Sequence, residues 1–247
     1  ALHEQAPSPL EWQIKPLRGL QGARILLVED NRINQQVAEA LLSQAGLHVS
    51  MAMNGREALF KVQQERYDAI LMDIQMPEMD GYAATRAMRA IPELAGLPII
   101  AMTANAMAEE SEKCLEAGMN AHLAKPIEPD RLFRVLLQWI PVRESVPVRS
   151  NEASAFPPPN AVETSETLSL PGIDWSFALG HLGGNSRLLR KLLLDFHHDH
   201  VGDALEIRQA LASGDLARAQ RITHTLKGIT GTIGAATLHQ ISKELND

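Results

Sequence analysis

Four short apolar runs in the first half of the chain each end in a polar residue that can do chemistry. Arg24-Ile25-Leu26-Leu27-Val28 runs into Glu29-Asp30, Ala69-Ile70-Leu71-Met72 into Asp73, Pro98-Ile99-Ile100-Ala101-Met102 into Thr103, and Ala121-His122-Leu123-Ala124 into Lys125-Pro126. In a parallel α/β sheet the carboxyl ends of the strands share one edge, where ligands bind. Three carboxylates, a hydroxyl and an ammonium collected there make a site for Mg²⁺ and a phosphoryl group, with Asp73 as the acceptor. Mg²⁺ is hard and prefers oxygen ligands, and a divalent cation relieves the repulsion among clustered carboxylates. Phosphoryl transfer asks mainly for alignment and charge neutralisation.

A second candidate is His224, in Ile222-Thr223-His224-Thr225-Leu226-Lys227-Gly228-Ile229-Thr230-Gly231. Ala219, Ile222, Leu226, Ile229 and Ile233 recur every three or four positions and define a buried stripe. His224 lies two residues from Ile222 and from Leu226, so it is expected off that stripe and exposed. Lys227, Gly228 and Gly231 fall on its face. Glycine inside a helix costs about 1 kcal/mol relative to Ala, so two glycines there suggest that another protein comes close. An ordinary surface histidine is the bland alternative. The glycine spacing is not a dinucleotide pattern, and no strand precedes it. His197, His198 and His200 are a weaker thought for a metal, since no other ligand set accompanies them.

Alternating elements must position these residues. Strands are expected at 24–28, 47–51, 68–72, 98–102 and 120–123, and helices at 32–45, 55–65, 82–91, 106–117 and 129–140. Five β-α repeats imply a doubly wound parallel sheet covered on both faces, with right-handed crossovers. Residues 1–21 read as a linker or the tail of a preceding region, 22–141 as one domain, 142–171 as a Pro-rich flexible linker, and 172–247 as a helical second domain. Asp174 and Asn185 are plausible helix caps. A long helix follows, weak at Gly202, and Gly214-Asp215 marks a turn and a new cap. Ala235–Asn246 is expected to form the last helix, with Leu238, Ile241 and Leu245 facing inward.

Composition narrows the function classes. With 45% apolar residues, the 247-residue chain can build the core of one large domain or of two small ones. A net charge of −7 without a basic block argues against nucleic acid as a direct partner. The single cysteine, Cys114, allows no internal disulfide, which suits a reducing compartment. No apolar run approaches the ~20 residues that span a bilayer. The first residue is Ala rather than Met, so the chain is expected to be part of a longer protein.

Glu29-Asp30-Asn31 with Asn34-Gln35, then Met72-Asp73 through Asp80-Gly81, Thr103-Ala104 and Lys125-Pro126 together resemble a response-regulator receiver domain, of the form attached to hybrid sensor histidine kinases. His224-x-x-Lys227-Gly228, continued by Gly231-Thr232-Ile233-Gly234-Ala235, resembles a histidine-containing phosphotransfer (HPt) domain. The first resemblance implies a flavodoxin-like sheet in strand order 2-1-3-4-5. It also implies that Glu29, Asp30, Asp73 and the Gln75 backbone carbonyl bind Mg²⁺, that Lys125 holds phosphoryl oxygens, and that Thr103 donates a hydroxyl hydrogen bond. Gly81 is assigned to the loop and helix start. The second resemblance implies a helical bundle, here lacking its last helix. His224 would carry the phosphoryl group, Lys227 would supply positive charge and Gly228 clearance. A relay follows: a kinase phosphohistidine upstream, then Asp73, then His224, then a downstream response regulator, on the cytoplasmic side of a membrane-bound parent. No ATP-binding domain is recognisable in this chain. His122 stands where receivers often carry a Tyr or Phe switch, which leaves that mechanism open. Two rivals stand beside the relay. A phosphohydrolase would want an acid where Gln75 stands. A receiver acting as a docking or dimerisation module would not need Asp73, Thr103 and Lys125 all present.

Overall fold

In the computed structural model, residues 18–104, 108–141 and 170–246 are described. The two expected linkers lie largely outside that range. Five strands, β1 (Arg24–Val28), β2 (His48–Ala52), β3 (Ala69–Asp73), β4 (Ile99–Thr103) and β5 (Ala121–Ala124), form one sheet in the order β2-β1-β3-β4-β5. All four pairings are parallel. Between them run α1 (Arg32–Gln44), α2 (Gly55–Gln64), α3 (Gly81–Arg89) and α4 (Ala108–Glu116), and α5 (Pro129–Trp139) closes the unit. Every residue of β3 and β4 is buried, as strands covered on both faces require. The expected elements are all present within a residue or two, and the ends of helix 106–117 that fall at 106–107 lie outside the described residues. Strand β3 keeps Asp73 as its last member and β4 keeps Thr103, so both side chains are held by the sheet rather than by a loop.

The C-terminal unit is all helical: α6 (Trp175–His181), α7 (Ser186–His200), α8 (Asp203–Ser213), α9 (Leu216–Thr232) and α10 (Ala236–Asn246). Asp174, Asn185 and Asp215 each accept a hydrogen bond from the backbone of the first turn, as their types predict. Gly214 takes the left-handed conformation (φ 74°) that ends α8. The expected long helix is interrupted at Val201-Gly202. One expectation is overturned: Leu238, Ile241 and Leu245 do not face inward but are 37%, 47% and 52% exposed. Helix α10 packs instead through Ala235, His239 and Ser242, one turn apart, with His239 Nδ1 hydrogen-bonded to the Lys227 carbonyl at 2.8 Å. No helix among the described residues is long and apolar enough to cross a membrane.

The two units touch. One buried apolar cluster contains Val37 and Leu41 of α1 together with Leu189 and Leu192 of α7 and Ile229 of α9. A Cβ on Gly183 would sit 2.9 Å from Gln44 Oε1, so the turn before α7 lies directly against the end of α1.

Candidate functional site

At the carboxyl edge of the sheet, Glu29, Asp30 and Asp73 bring one oxygen each within 4.8 Å of one another. Lys125 reaches across from the end of β5, with Nζ 2.7 Å from Asp73 Oδ2 and 2.6 Å from Glu29 Oε2. Thr103 is 1% exposed at the end of β4. The Lys125-Pro126 peptide is cis. The α1 motif is built around Glu29. Asn31 caps the helix through the Ile33 and Asn34 backbone N–H groups. The Asn34 amide donates to Glu29 Oε1 at 3.0 Å, and the Gln35 amide donates to the Glu29 carbonyl at 2.5 Å. Gly81 has a steric reason: a Cβ there would lie 2.2 Å from the Asp73 carbonyl oxygen. Its own N–H donates to the Ile74 carbonyl, 2.9 Å away.

Burial dominates the electrostatics. Glu29 is pushed up to about 7 by desolvation, with Lys125 opposing and Asp73 adding to the rise. Asp30 is pushed up to about 6 by burial and then by Glu29. Asp73 is raised by burial against Lys125 and a hydrogen bond from the Gln75 backbone. Burial lowers Lys125, but Asp73 and Glu29 outweigh it and hold the ammonium charged. Three hard oxygen donors with one ammonium among them fit Mg²⁺, whose charge is what three raised carboxylates lack.

His224 opens onto the same pocket, which Asp73, Lys125, Lys227, Gly228 and His239 also line. It is half-buried rather than exposed, because the first unit covers it. Its pKa is lowered to about 4 by burial, then by Lys125 and Lys227. The ring is therefore neutral at physiological pH and keeps a nitrogen lone pair. Lys227 is 9% exposed, and its charge also reaches Glu110 at α4. The two glycines have separate reasons. A Cβ on Gly228 would sit 3.4 Å from Asn34 Nδ2, an ordinary contact, so the neighbour it faces is the chain's own α1. A Cβ on Gly231 would sit 3.1 Å from His239 Nδ1 and 3.6 Å from Pro126 Cδ. Sequence reasoning missed His239, which sits on the next helix with no local signal. His122 contacts Ser111 Oγ of α4 through Nδ1 at 3.3 Å. His200 Nδ1 pairs with Asp203 at 2.8 Å.

Comparison with known proteins agrees with this architecture. The response regulator receiver domain family matches residues 25–137, and the Hpt domain family matches residues 191–247. Sensor protein GacS of Pseudomonas syringae pv. syringae is 35% identical over 94% of this chain and 25% of its own length. Signal transduction histidine-protein kinase BarA of Escherichia coli (strain K12) is 38% identical over 70% of this chain and 18% of its own length. The chain thus spans about a quarter or less of the curated relatives it matches. Among solved structures, the receiver domain of a sensor histidine kinase from Pseudomonas aeruginosa PAO1, with a magnesium ion coordinated in its active site cleft, is 49% identical. It covers 48% of this chain and 97% of that one at a TM-score of 0.46. By the family and relative matches the chain carries a response regulator receiver domain followed by an Hpt domain, with sensor histidine kinases as its relatives.

Proposed function

We propose that this chain moves a phosphoryl group from an upstream kinase phosphohistidine to Asp73 and on to His224, which delivers it to a separate response regulator. The observation that carries the reading is the shared pocket of Asp73 and His224. In the first step an Asp73 oxygen attacks phosphorus in line, and the donor's N–P bond breaks. In the second, the neutral His224 nitrogen forms a new N–P bond. The Asp73 O–P bond breaks, and its electron pair returns to the carboxylate. Lys125 and Lys227 flank the path of the transferring group and balance its charge. Thr103 offers a hydroxyl to the phosphoryl oxygens. Glu29, Asp30, Asp73 and the Gln75 carbonyl would hold Mg²⁺, which when bound neutralises the phosphoryl oxygens. The parent protein is a membrane-attached sensor kinase, with this region on its cytoplasmic side.

The test is incubation with Mg²⁺ and a small phosphoryl donor such as acetyl phosphate, with the modified residue located by mass spectrometry. Phosphate is expected on Asp73 first and on His224 later. Asp73→Asn removes both signals, and His224→Gln removes only the second. Phosphate on His224 in the Asp73→Asn variant would overturn the order of the relay.

A further inference from the structure

The pocket between the two units holds a second imidazole. His239 of α10 lines it beside Asp73, Lys125, His224 and Lys227. Its Nδ1 lies 2.8 Å from the Lys227 carbonyl oxygen. A carbonyl oxygen only accepts, so Nδ1 carries a hydrogen whatever the charge of the ring. Gly231 makes this approach possible: a Cβ there would sit 3.1 Å from His239 Nδ1 and 3.2 Å from its Cε1. Gly231 stands two turns after His224 on the same face of α9, so the His239 ring lies over that face. The same point is 3.6 Å from Pro126 Cδ, next to Lys125, which sets the ring at the seam between the units. With Nδ1 spent on α9, Nε2 is what the ring has left to offer the pocket.

We infer that His239 is a further residue of the transfer step: its Nε2 binds an oxygen of the phosphoryl group as that group passes from Asp73 to His224 and while it rests there. The inference rests on the relay proposed above. In the neutral ring Nδ1 holds the hydrogen and Nε2 a lone pair, which repels phosphoryl oxygens. Once Nε2 takes a proton from water, both nitrogens donate, and the bond to the Lys227 carbonyl stays as it was. The charges lining the pocket decide which form is present. Glu29, Asp30 and Asp73 favour the imidazolium, while Lys125 and Lys227 oppose it. The arriving phosphoryl group adds negative charge and tips the balance, and the proton returns to water when the group leaves. The resulting bond is charge-assisted, and it strengthens as charge collects on the oxygens in transit. Anchoring α10 to α9 would need only one donor. An imidazole brings a second polar atom to the site.

The test is nitrogen NMR of the histidine rings in the full chain, with Mg²⁺ and acetyl phosphate, beside timed transfer. In the wild type the His239 Nε2 resonance is expected to move from the lone-pair to the protonated position as phosphohistidine forms on His224. In Asp73→Asn it is expected to stay. A shift there as well would assign the change to free acetyl phosphate and overturn the inference. His239→Asn puts an amide nitrogen near the place of Nδ1 and removes Nε2. In that variant Asp73 is expected to load as in the wild type. Phosphohistidine is expected to appear at least roughly tenfold more slowly, as the loss of one hydrogen bond to a charged group implies. An Nε2 that keeps its lone pair in the phosphorylated chain overturns the inference whatever the variant's rate, and leaves His239 as a strut for α10. Transfer at the wild-type rate in His239→Asn overturns it too. Both results leave the relay standing. Loaded Asp73 with no phosphohistidine in the wild type sinks both.

Discussion

At the scale of single residues, the acid cluster is a site whose charges are incomplete on their own. Two buried carboxylates and the half-buried Asp30 face one ammonium, and Glu29 and Asp30 respond by rising to about 7 and about 6. A raised carboxyl pKa means that the folded chain retains its proton where the unfolded chain has lost it. In the metal-free chain this contribution to stability therefore falls as pH rises, from the ordinary values of 4.5 and 3.8 to about 7 and 6. Mg²⁺ reverses the balance, because it binds the ionised forms and must displace the protons. Mg²⁺ affinity is accordingly expected to weaken on acidification below about pH 7, by up to roughly tenfold per pH unit for each proton displaced. Calorimetric titration between pH 5.5 and 8.5 checks this, and an affinity constant across that range would refute it. His224 is shifted the opposite way, down to about 4, so its lone pair remains available throughout the same range.

At the scale of elements, the strand ends were legible because chemistry follows composition there. An apolar run that stops at Asp73, Thr103 or Lys125 has to leave that residue at the sheet's carboxyl edge. The buried stripe of α9 was largely legible: Ala219, Leu226, Ile229 and Ile233 are all under 9% exposed, while Ile222 is only half-buried. What could not be read was anything set by the packing of one helix on another. Leu238, Ile241 and Leu245 make the better apolar stripe of α10, yet a different face packs inward, the one carrying Ser242 and the hydrogen bond between His239 and the Lys227 carbonyl. Likewise the glycines of α9 announced a close approach without saying by what. Gly228 faces Asn34 at a distance a methyl group can occupy. Gly228→Ala is therefore expected to stabilise α9 by up to about 1 kcal/mol through helix propensity, while His224 is phosphorylated at close to the wild-type rate. Gly228→Ile adds branches with no room against α1 and should stop phosphohistidine formation while Asp73 still loads. Urea unfolding and timed quenching of the phosphorylated chain read the two effects separately.

At the scale of the whole molecule, docking of the two units both enables and restricts the relay. The α1 surface that brings Asn34 to Gly228 sets His224 on the pocket that Asp73 also lines, and it also covers the imidazole that the proposed downstream regulator would have to reach. In the proposed relay, internal transfer belongs to the closed arrangement and onward transfer to an open one, so an equilibrium between them would set the direction of flow. Apolar burial at roughly 25 cal/mol per Å² gives the closed form its strength. The hydrogen bonds that Gln36 of α1 makes with Lys191 and Asp195 of α7, together worth about 1 kcal/mol, are a small adjustable part of that total. Lys191→Glu should therefore raise the open population by roughly fivefold without unfolding either unit, provided the closed form dominates. Carbethoxylation of His224 by diethyl pyrocarbonate reports this directly, because the reagent needs a neutral, reachable imidazole. The modification rate at pH 7 is expected to rise roughly fivefold in Lys191→Glu, with His197 and His198, exposed on α7, serving as internal controls. An unchanged His224 rate would mean that the closed arrangement does not limit access. Onward transfer would then need no opening step.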